Sequence, residues 1–193
     1  MPACQAVLFD VDGVLIDSYA AHFHSWQALA TENGRTCTEA EFVAGFGRTS
    51  REVILEQWSD DDLTDARIQQ LDDRKEELFR EIVSRDFPAM DGARDLIDTL
   101  HAAGIRIALG SSGPPENVNL VIEQLGIGNV VEVAITGTDV TRGKPDPQVF
   151  QLAAERLNVE PKTCVVVEDA PAGIQAAHAA GMKCVGLAST GRT

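Results

Sequence analysis

The chain is short of positive charge and of cysteine, and it has no long apolar run. Its Lys and Arg number 16 against 30 Asp and Glu, a formal net charge of −14. A field of that sign excludes nucleic-acid binding through a general basic surface. It also repels anionic substrates, so a site for one needs a local cation. No apolar stretch is long enough to span a bilayer. The opening Met1-Pro2-Ala3-Cys4-Gln5 lacks a basic segment followed by an apolar one, so no secretory leader is read there. A cytoplasmic location is the resulting expectation. Cys4, Cys37, Cys164 and Cys184 include no Cys-x-x-Cys pair, and three lie in or beside apolar strand-like runs. They read as buried, reduced thiols and not as a zinc cluster or redox pair. There is no internal repeat and no low-complexity tract. What remains is 193 residues, 44% hydrophobic, enough for one ordinary domain or a core with a small insert.

Runs rich in Val and Ile predict strands at Ala6 to Phe9, Ile105 to Leu109, Val130 to Ile135, Cys164 to Val167 and Lys183 to Leu187. Helical patterns lie between them at Ala93 to Ala103, Glu116 to Leu125, Pro147 to Leu157 and Ala170 to Ala180. Three of these are closed by Gly104, Gly126 and Gly181, where glycine suits the left-handed closing position. Strands alternating with helices of this length predict βαβ units and a parallel sheet. The interval from Asp17 to Phe87 breaks the alternation. It carries helical patterns at Ala20 to Glu32, Glu39 to Phe46, Arg51 to Trp58 and Leu63 to about Ser84. The expected fold is therefore α/β, with a Rossmann-like parallel sheet core at residues 1–16 and 88–193. An all-α domain at 17–87 is inserted into it.

The first strand runs straight into chemistry: Val7-Leu8-Phe9-Asp10-Val11-Asp12-Gly13. Residues two apart in an extended segment share a side. Asp10 and Asp12 thus crowd one spot at the carboxyl end of the strand, where open α/β sheets keep their ligands. Two ionised carboxylates that close repel unless a cation lies between them, and an all-oxygen donor set suits Mg²⁺. An EF-hand loop is a poor competitor, because Val11, Val14 and Leu15 interrupt its alternating oxygen ligands. Three further features each follow a predicted strand. They are Ser111, Lys144 in Gly143-Lys144-Pro145-Asp146-Pro147, and Glu168-Asp169.

In this order the four motifs resemble those of the haloacid dehalogenase superfamily of phosphotransferases. The resemblance covers nearly the whole chain. Asp10-Val11-Asp12-Gly13-Val14, with Asp17-Ser18 and His22-Phe23-His24-Ser25-Trp26, resembles the β-phosphoglucomutase-like branch, whose members carry a helical cap at the position of the insertion. Chains of this family usually continue past the point where this one ends, so a final helix and edge strand are expected to be missing.

The resemblance implies roles. Asp10 is the expected nucleophile, giving an aspartyl-phosphate, and Asp12 the general acid and base. Mg²⁺ would be held by Asp10, the backbone carbonyl of Asp12, Glu168 and Asp169. Glu168-Asp169 also reads as a cap for the helix that follows. Lys144 would neutralise Asp10 and the phosphate. Ser111 would donate its hydroxyl to the phosphate, aided by the N–H groups of Ser112 and Gly113 and by Asn117 at the start of the next helix. Gly13 lets the backbone turn beside the metal. In the cap, His22, Trp26, Arg51 and Lys75 are the candidates for substrate selection, with Arg51 suited to a distal phosphate. Read alone, Trp26 is core and Lys75 a solvated helix face. His22 and His24 do not face each other on a helix, so a His-His metal pair is not expected.

After Ser111 this chain reads Ser112-Gly113-Pro114-Pro115, without the lysine that a mutase of this branch uses. A phosphatase acting on a small phosphorylated metabolite, a sugar phosphate by preference, is the first reading. A β-phosphoglucomutase is the alternative. Dehalogenation needs no Mg²⁺ and leaves Asp12, Glu168 and Asp169 unexplained. A binding module on the same fold would have lost Asp10 or Lys144. The expected partner is the small substrate, with no nucleic acid and no membrane, and a monomer is favoured.

Overall fold

The structure is a computed structural model and describes residues 3–45, 49–58 and 63–188. Five parallel strands form one sheet: β1 (Ala6–Phe9), β2 (Arg106–Gly110), β3 (Val131–Ile135), β4 (Cys164–Glu168) and β5 (Lys183–Gly186), in the order β3-β2-β1-β4-β5. β1 lies at the centre, with Phe9 opposite Leu109 on one side and Val167 on the other. The chain builds outward from β1 through β2 to β3, then returns to place β4 on the other side. The carboxyl ends of β1 and β4 therefore flank the point where the winding reverses, the place where such sheets bind ligands.

The connecting helices are α5 (Ala93–Ala102), α6 (Pro115–Leu125), α7 (Gln148–Arg156) and α8 (Pro171–Ala179). α6 starts with Pro115, whose missing N–H costs nothing in a first turn, and closes on Gly126 at φ 64°. Ala6, Leu8, Ala108 and Val166 of the sheet bury against Val149, Phe150 and Ala153 of α7 and Ala176 and Ala177 of α8. Single-turn helices at Gly137–Asp139 and Pro161–Thr163 were not expected from the sequence.

The remaining helices are α1 (Tyr19–Glu32), α2 (Glu39–Gly45), α3 (Ser50–Gln57) and α4 (Asp65–Arg85). The predicted end of the second at Phe46 lies outside the described residues. α3 opens on a reciprocal cap: Glu52 N–H donates to Thr49 Oγ1, and Thr49 N–H to Glu52 Oε2. Contacts divide the chain into two compact units, residues 1–17 with 87–193, and 18–86. The helical unit has its own core of Trp26, Leu29, Phe42, Ile54, Trp58 and Leu71 among others. In the sheet unit, the segments beside the two crossings are tied together. Asp17 N–H donates to the Pro88 carbonyl at 2.8 Å and Met90 N–H to the Leu15 carbonyl at 2.9 Å. No helix among the described residues is long and apolar enough to cross a membrane.

Candidate active site

β1 extends its ladder one residue past Phe9, with Asp10 N–H donating to the Val167 carbonyl at 3.0 Å. The chain then folds back tightly. Gly13 N–H donates to the Ile16 carbonyl, with Gly13 at φ 78°, in the left-handed region that glycine tolerates. Gly13 is needed for a second reason: a methyl there would overlap Asp169 Oδ2. The β1 turn and the carboxylate after β4 thus occupy adjoining space, and only a missing side chain lets them do so.

Glu168 closes β4 and is 1% exposed. Its Oε2 accepts the N–H of Ala170 at 2.7 Å, and its Oε1 accepts the Lys144 ammonium at 2.7 Å. Gly173, in the first turn of α8, makes room for this carboxylate, since a methyl there would overlap Glu168 Oε1. Lys144 Nζ also donates to Asp10 Oδ1 at 2.6 Å and lies 5.0 Å from the centre of the Phe150 ring. Burial alone would lower the lysine pKa, but the paired Asp10 and Glu168 carboxylates outweigh it and hold Lys144 above its ordinary value. Asp10 is pushed up to about 7, chiefly by burial. Lys144 opposes the shift, while Glu168 and Asp12 add to it.

One ammonium therefore serves several crowded carboxylates. Oxygens of Asp10, Glu168 and Asp169 lie within 4.8 Å of one another, the group among the described residues suited to an ion. Three carboxylates crowd one spot there, and a hard divalent cation with oxygen preference fits such a donor set. Asp12 is half-buried and is not among the three side chains of that group.

Ser111, 1% exposed, follows β2. Its N–H donates to the Ile135 carbonyl, and its Oγ accepts the Gly113 N–H at 3.0 Å, which leaves the hydroxyl proton to donate. Gly113 is latched in turn: its carbonyl accepts the Gly137 N–H at 2.9 Å. A methyl on Gly137 would overlap the Ser112 carbonyl oxygen. Asn117, in the first turn of α6, is buried. Ser111, Ser112 and Gly113 thus form a braced loop leading into the N-terminus of α6, a setting that favours an anion.

The helical unit brings three of its four candidates together. Lys75 Nζ is 3.0 Å from His22 Nδ1 and 2.7 Å from Glu76 Oε1. It sits over the rings of Trp26 and Phe79, 5.8 and 5.5 Å from their centres. His22 stacks on Phe79 with ring centres 4.1 Å apart. Trp26 is core. The expectation of a solvated face for Lys75 is overturned, since the residue is 3% exposed. Its sequence context held the signal: Ile68, Leu71, Lys75, Leu78 and Phe79 fall on one stripe of α4, all buried. Arg51 stands apart and pairs with Asp65 at 2.6 Å, both well exposed. His24 is exposed. Sequence reasoning also missed Gly137 and Gly173. A glycine inside a helix, five residues past a strand-end carboxylate, is the clue that Gly173 offered.

A model of the haloacid dehalogenase-like hydrolases matches residues 4–181. The validoxylamine A 7'-phosphate phosphatase of Streptomyces hygroscopicus subsp. limoneus is 34% identical over 96% of this chain and 86% of its own length. A phosphorylated carbohydrates phosphatase of Thermotoga maritima is 30% identical over 93% of this chain and 82% of its own. The crystal structure of a β-phosphoglucomutase from Clostridium difficile superposes with a TM-score of 0.83 at 26% identity, covering 95% of this chain and 84% of that one. The chain belongs to the haloacid dehalogenase-like hydrolases.

Proposed function

We propose that this hydrolase is a Mg²⁺-dependent phosphatase that cleaves a small phosphorylated metabolite, a sugar phosphate by preference, through an aspartyl-phosphate. The observation that carries the reading is the Lys144 ammonium, 2.6 Å from Asp10 and 2.7 Å from Glu168, beside a group of carboxylates suited to a cation. Phosphoryl transfer asks mainly for such positioning and charge neutralisation.

An oxygen of Asp10 attacks phosphorus and the bond to the substrate oxygen breaks. Asp12 gives that leaving oxygen its proton. Water then attacks the phosphoryl group, Asp12 takes the proton back, and the bond to Asp10 breaks to release phosphate. Asp10, Glu168, Asp169 and the Asp12 carbonyl would hold Mg²⁺, which when bound supplies the positive charge that lets a phosphate dianion approach Asp10. Lys144 neutralises the same oxygens from the protein side. Ser111, the N–H of Ser112 and Asn117 hold the phosphate, while the Gly113 N–H holds the Ser111 hydroxyl oxygen in place. Of the four candidates in the helical unit, His22 and Arg51 are the ones left for substrate choice, since Trp26 and Lys75 are buried within that unit. Relatives named as phosphatases of phosphorylated carbohydrates and of a 7'-phosphate support a carbohydrate-like substrate. The likeness to a β-phosphoglucomutase favours a second reading, in which a sugar hydroxyl replaces water. The missing lysine after Ser112 weighs against it.

Product analysis tests the proposal. The protein is incubated with Mg²⁺ and a panel of sugar phosphates, including β-glucose 1-phosphate with a trace of the 1,6-bisphosphate. Free phosphate and glucose 6-phosphate are both followed. Free phosphate that disappears in Asp10→Asn is the expected result. Glucose 6-phosphate with little free phosphate would replace the phosphatase by a mutase. Neither product from folded, Mg²⁺-binding protein would overturn the reading on these substrates.

A further inference from the structure

A lysine carries its charge on a flexible stem, so the backbone beneath it must be fixed if the ammonium is to reach two carboxylates at once. Lys144 lies in the loop 141–147, where Thr141, Arg142, Gly143 and Pro145 are exposed and bring no apolar anchor. The loop is held by Gln148, the first residue of α7. Its Oε1 accepts the N–H of Thr141 at 2.9 Å, the hydroxyl of Thr141 at 3.1 Å and the N–H of Arg142 at 3.1 Å. Three donors converge on an atom with two lone pairs, which fixes the direction of the incoming arm. The other arm closes through Asp146. Its Oδ1 accepts the Gln148 N–H, its Oδ2 pairs with Arg142 Nε, and its own N–H donates to the Gly143 carbonyl, each at 3.0 Å. α7 is rooted in the sheet core by Val149, Phe150 and Ala153. A continuous path therefore runs from the core, through one glutamine side chain, to the backbone that carries Lys144.

We infer that Gln148 is a positioning residue for phosphoryl transfer: its amide oxygen clamps Thr141 and Arg142 and so fixes the Lys144 ammonium against Asp10 and Glu168. The inference rests on the phosphatase reading above. Gln148 acts through the loop and not on the reacting atoms. Because Thr141 and Arg142 are exposed, their freed N–H groups would turn to water, and folding would lose little. Catalysis would lose more, since a shift of about 1 Å in a catalytic group can cost on the order of 100-fold in rate.

The test compares wild-type protein, Gln148→Leu, which has no acceptor, and Gln148→Glu, which keeps one. Hydrolysis of p-nitrophenyl phosphate with Mg²⁺ gives kcat and KM, thermal melting gives stability, and amide exchange is read at Thr141 and Arg142. Gln148→Leu should lower kcat by roughly 10- to 100-fold with KM and melting temperature nearly unchanged, and should lose protection at both amides. Gln148→Glu should restore kcat and protection together. Wild-type kcat in Gln148→Leu, or a loss that Gln148→Glu does not reverse, overturns the inference. Wild-type protein inert toward phosphoesters would instead sink the phosphatase reading. The clamp would then be judged on amide exchange alone, and unchanged protection in Gln148→Leu would overturn it.

Discussion

A buried ammonium is costly unless it finds partners, and Lys75 finds three kinds: the Glu76 carboxylate, the His22 ring nitrogen and the faces of Trp26 and Phe79. The contact with His22 requires Nδ1 to be the unprotonated nitrogen, which leaves the proton on Nε2. Glu76 is itself drawn inward, its Oε1 also accepting Ser50 Oγ at 3.0 Å. Removing the ammonium leaves that carboxylate and the imidazole without their shared donor. Lys75→Ala should therefore destabilise the helical unit by about 3 kcal/mol, the lower end for breaking a buried pair because Glu76 retains Ser50. The chain's two tryptophans, Trp26 and Trp58, both lie in the core of that unit, so fluorescence-monitored urea unfolding reads it selectively. An unchanged midpoint would mean that the pair contributes nothing to the unit's stability. The same residue shows how far sequence reasoning carried. A lysine among Asp, Arg and Glu looks solvated by composition. Its place on the apolar stripe of α4 says otherwise, and periodicity is the better guide.

At the scale of elements, the turn Gly137–Asp139 braces the Ser111 loop through the Gly137–Gly113 hydrogen bond, and Asp139 holds that turn. Its Oδ2 accepts the N–H of Thr136 at 2.9 Å and the Thr136 hydroxyl at 2.8 Å, while its Oδ1 pairs with Arg156 at 2.7 Å. Led by the Thr136 N–H, these contacts hold the Asp139 pKa down to about 2. The unfolded value is about 3.9, so the folded state prefers the ionised form. The contribution is present above the unfolded value and is lost as pH falls through the folded one. The difference in melting temperature between wild type and Asp139→Asn should stay constant from pH 8 to 5 and shrink toward pH 3. A constant difference down to pH 3 would mean that Asp139 acts by shape and not by charge. The large elements around this turn were legible because each has a period: apolar strands running into carboxylate or serine motifs, and helices closed by glycine. The turn itself was not, because three residues have no period. The clamp by Gln148 was not legible either, because a side chain reaching back seven residues to a loop leaves no pattern in composition or spacing.

For the molecule as a whole, the excess of 30 acids over 16 bases sets an electrostatic problem that the candidate site must solve locally. Long-range repulsion lowers the encounter rate of a phosphate ester with the protein, while the same field gathers divalent cations. Lys144 acts only at contact, because its charge is already paired with Asp10 and Glu168. Its influence beyond the pocket is therefore small compared with the net charge. Added salt screens the long-range term, with a Debye length falling from about 30 Å at 0.01 M to about 8 Å at 0.15 M. With Mg²⁺ held saturating, kcat/KM for a sugar phosphate should therefore rise over that range, the reverse of an enzyme that steers its substrate in. The Mg²⁺ concentration needed for half-maximal rate should rise as well, since screening weakens the attraction that gathers the cation. A fall of kcat/KM with salt at saturating Mg²⁺ would mean that the bound cation and Lys144 together reverse the field at the mouth of the site. The net charge would then act on solubility and not on substrate capture.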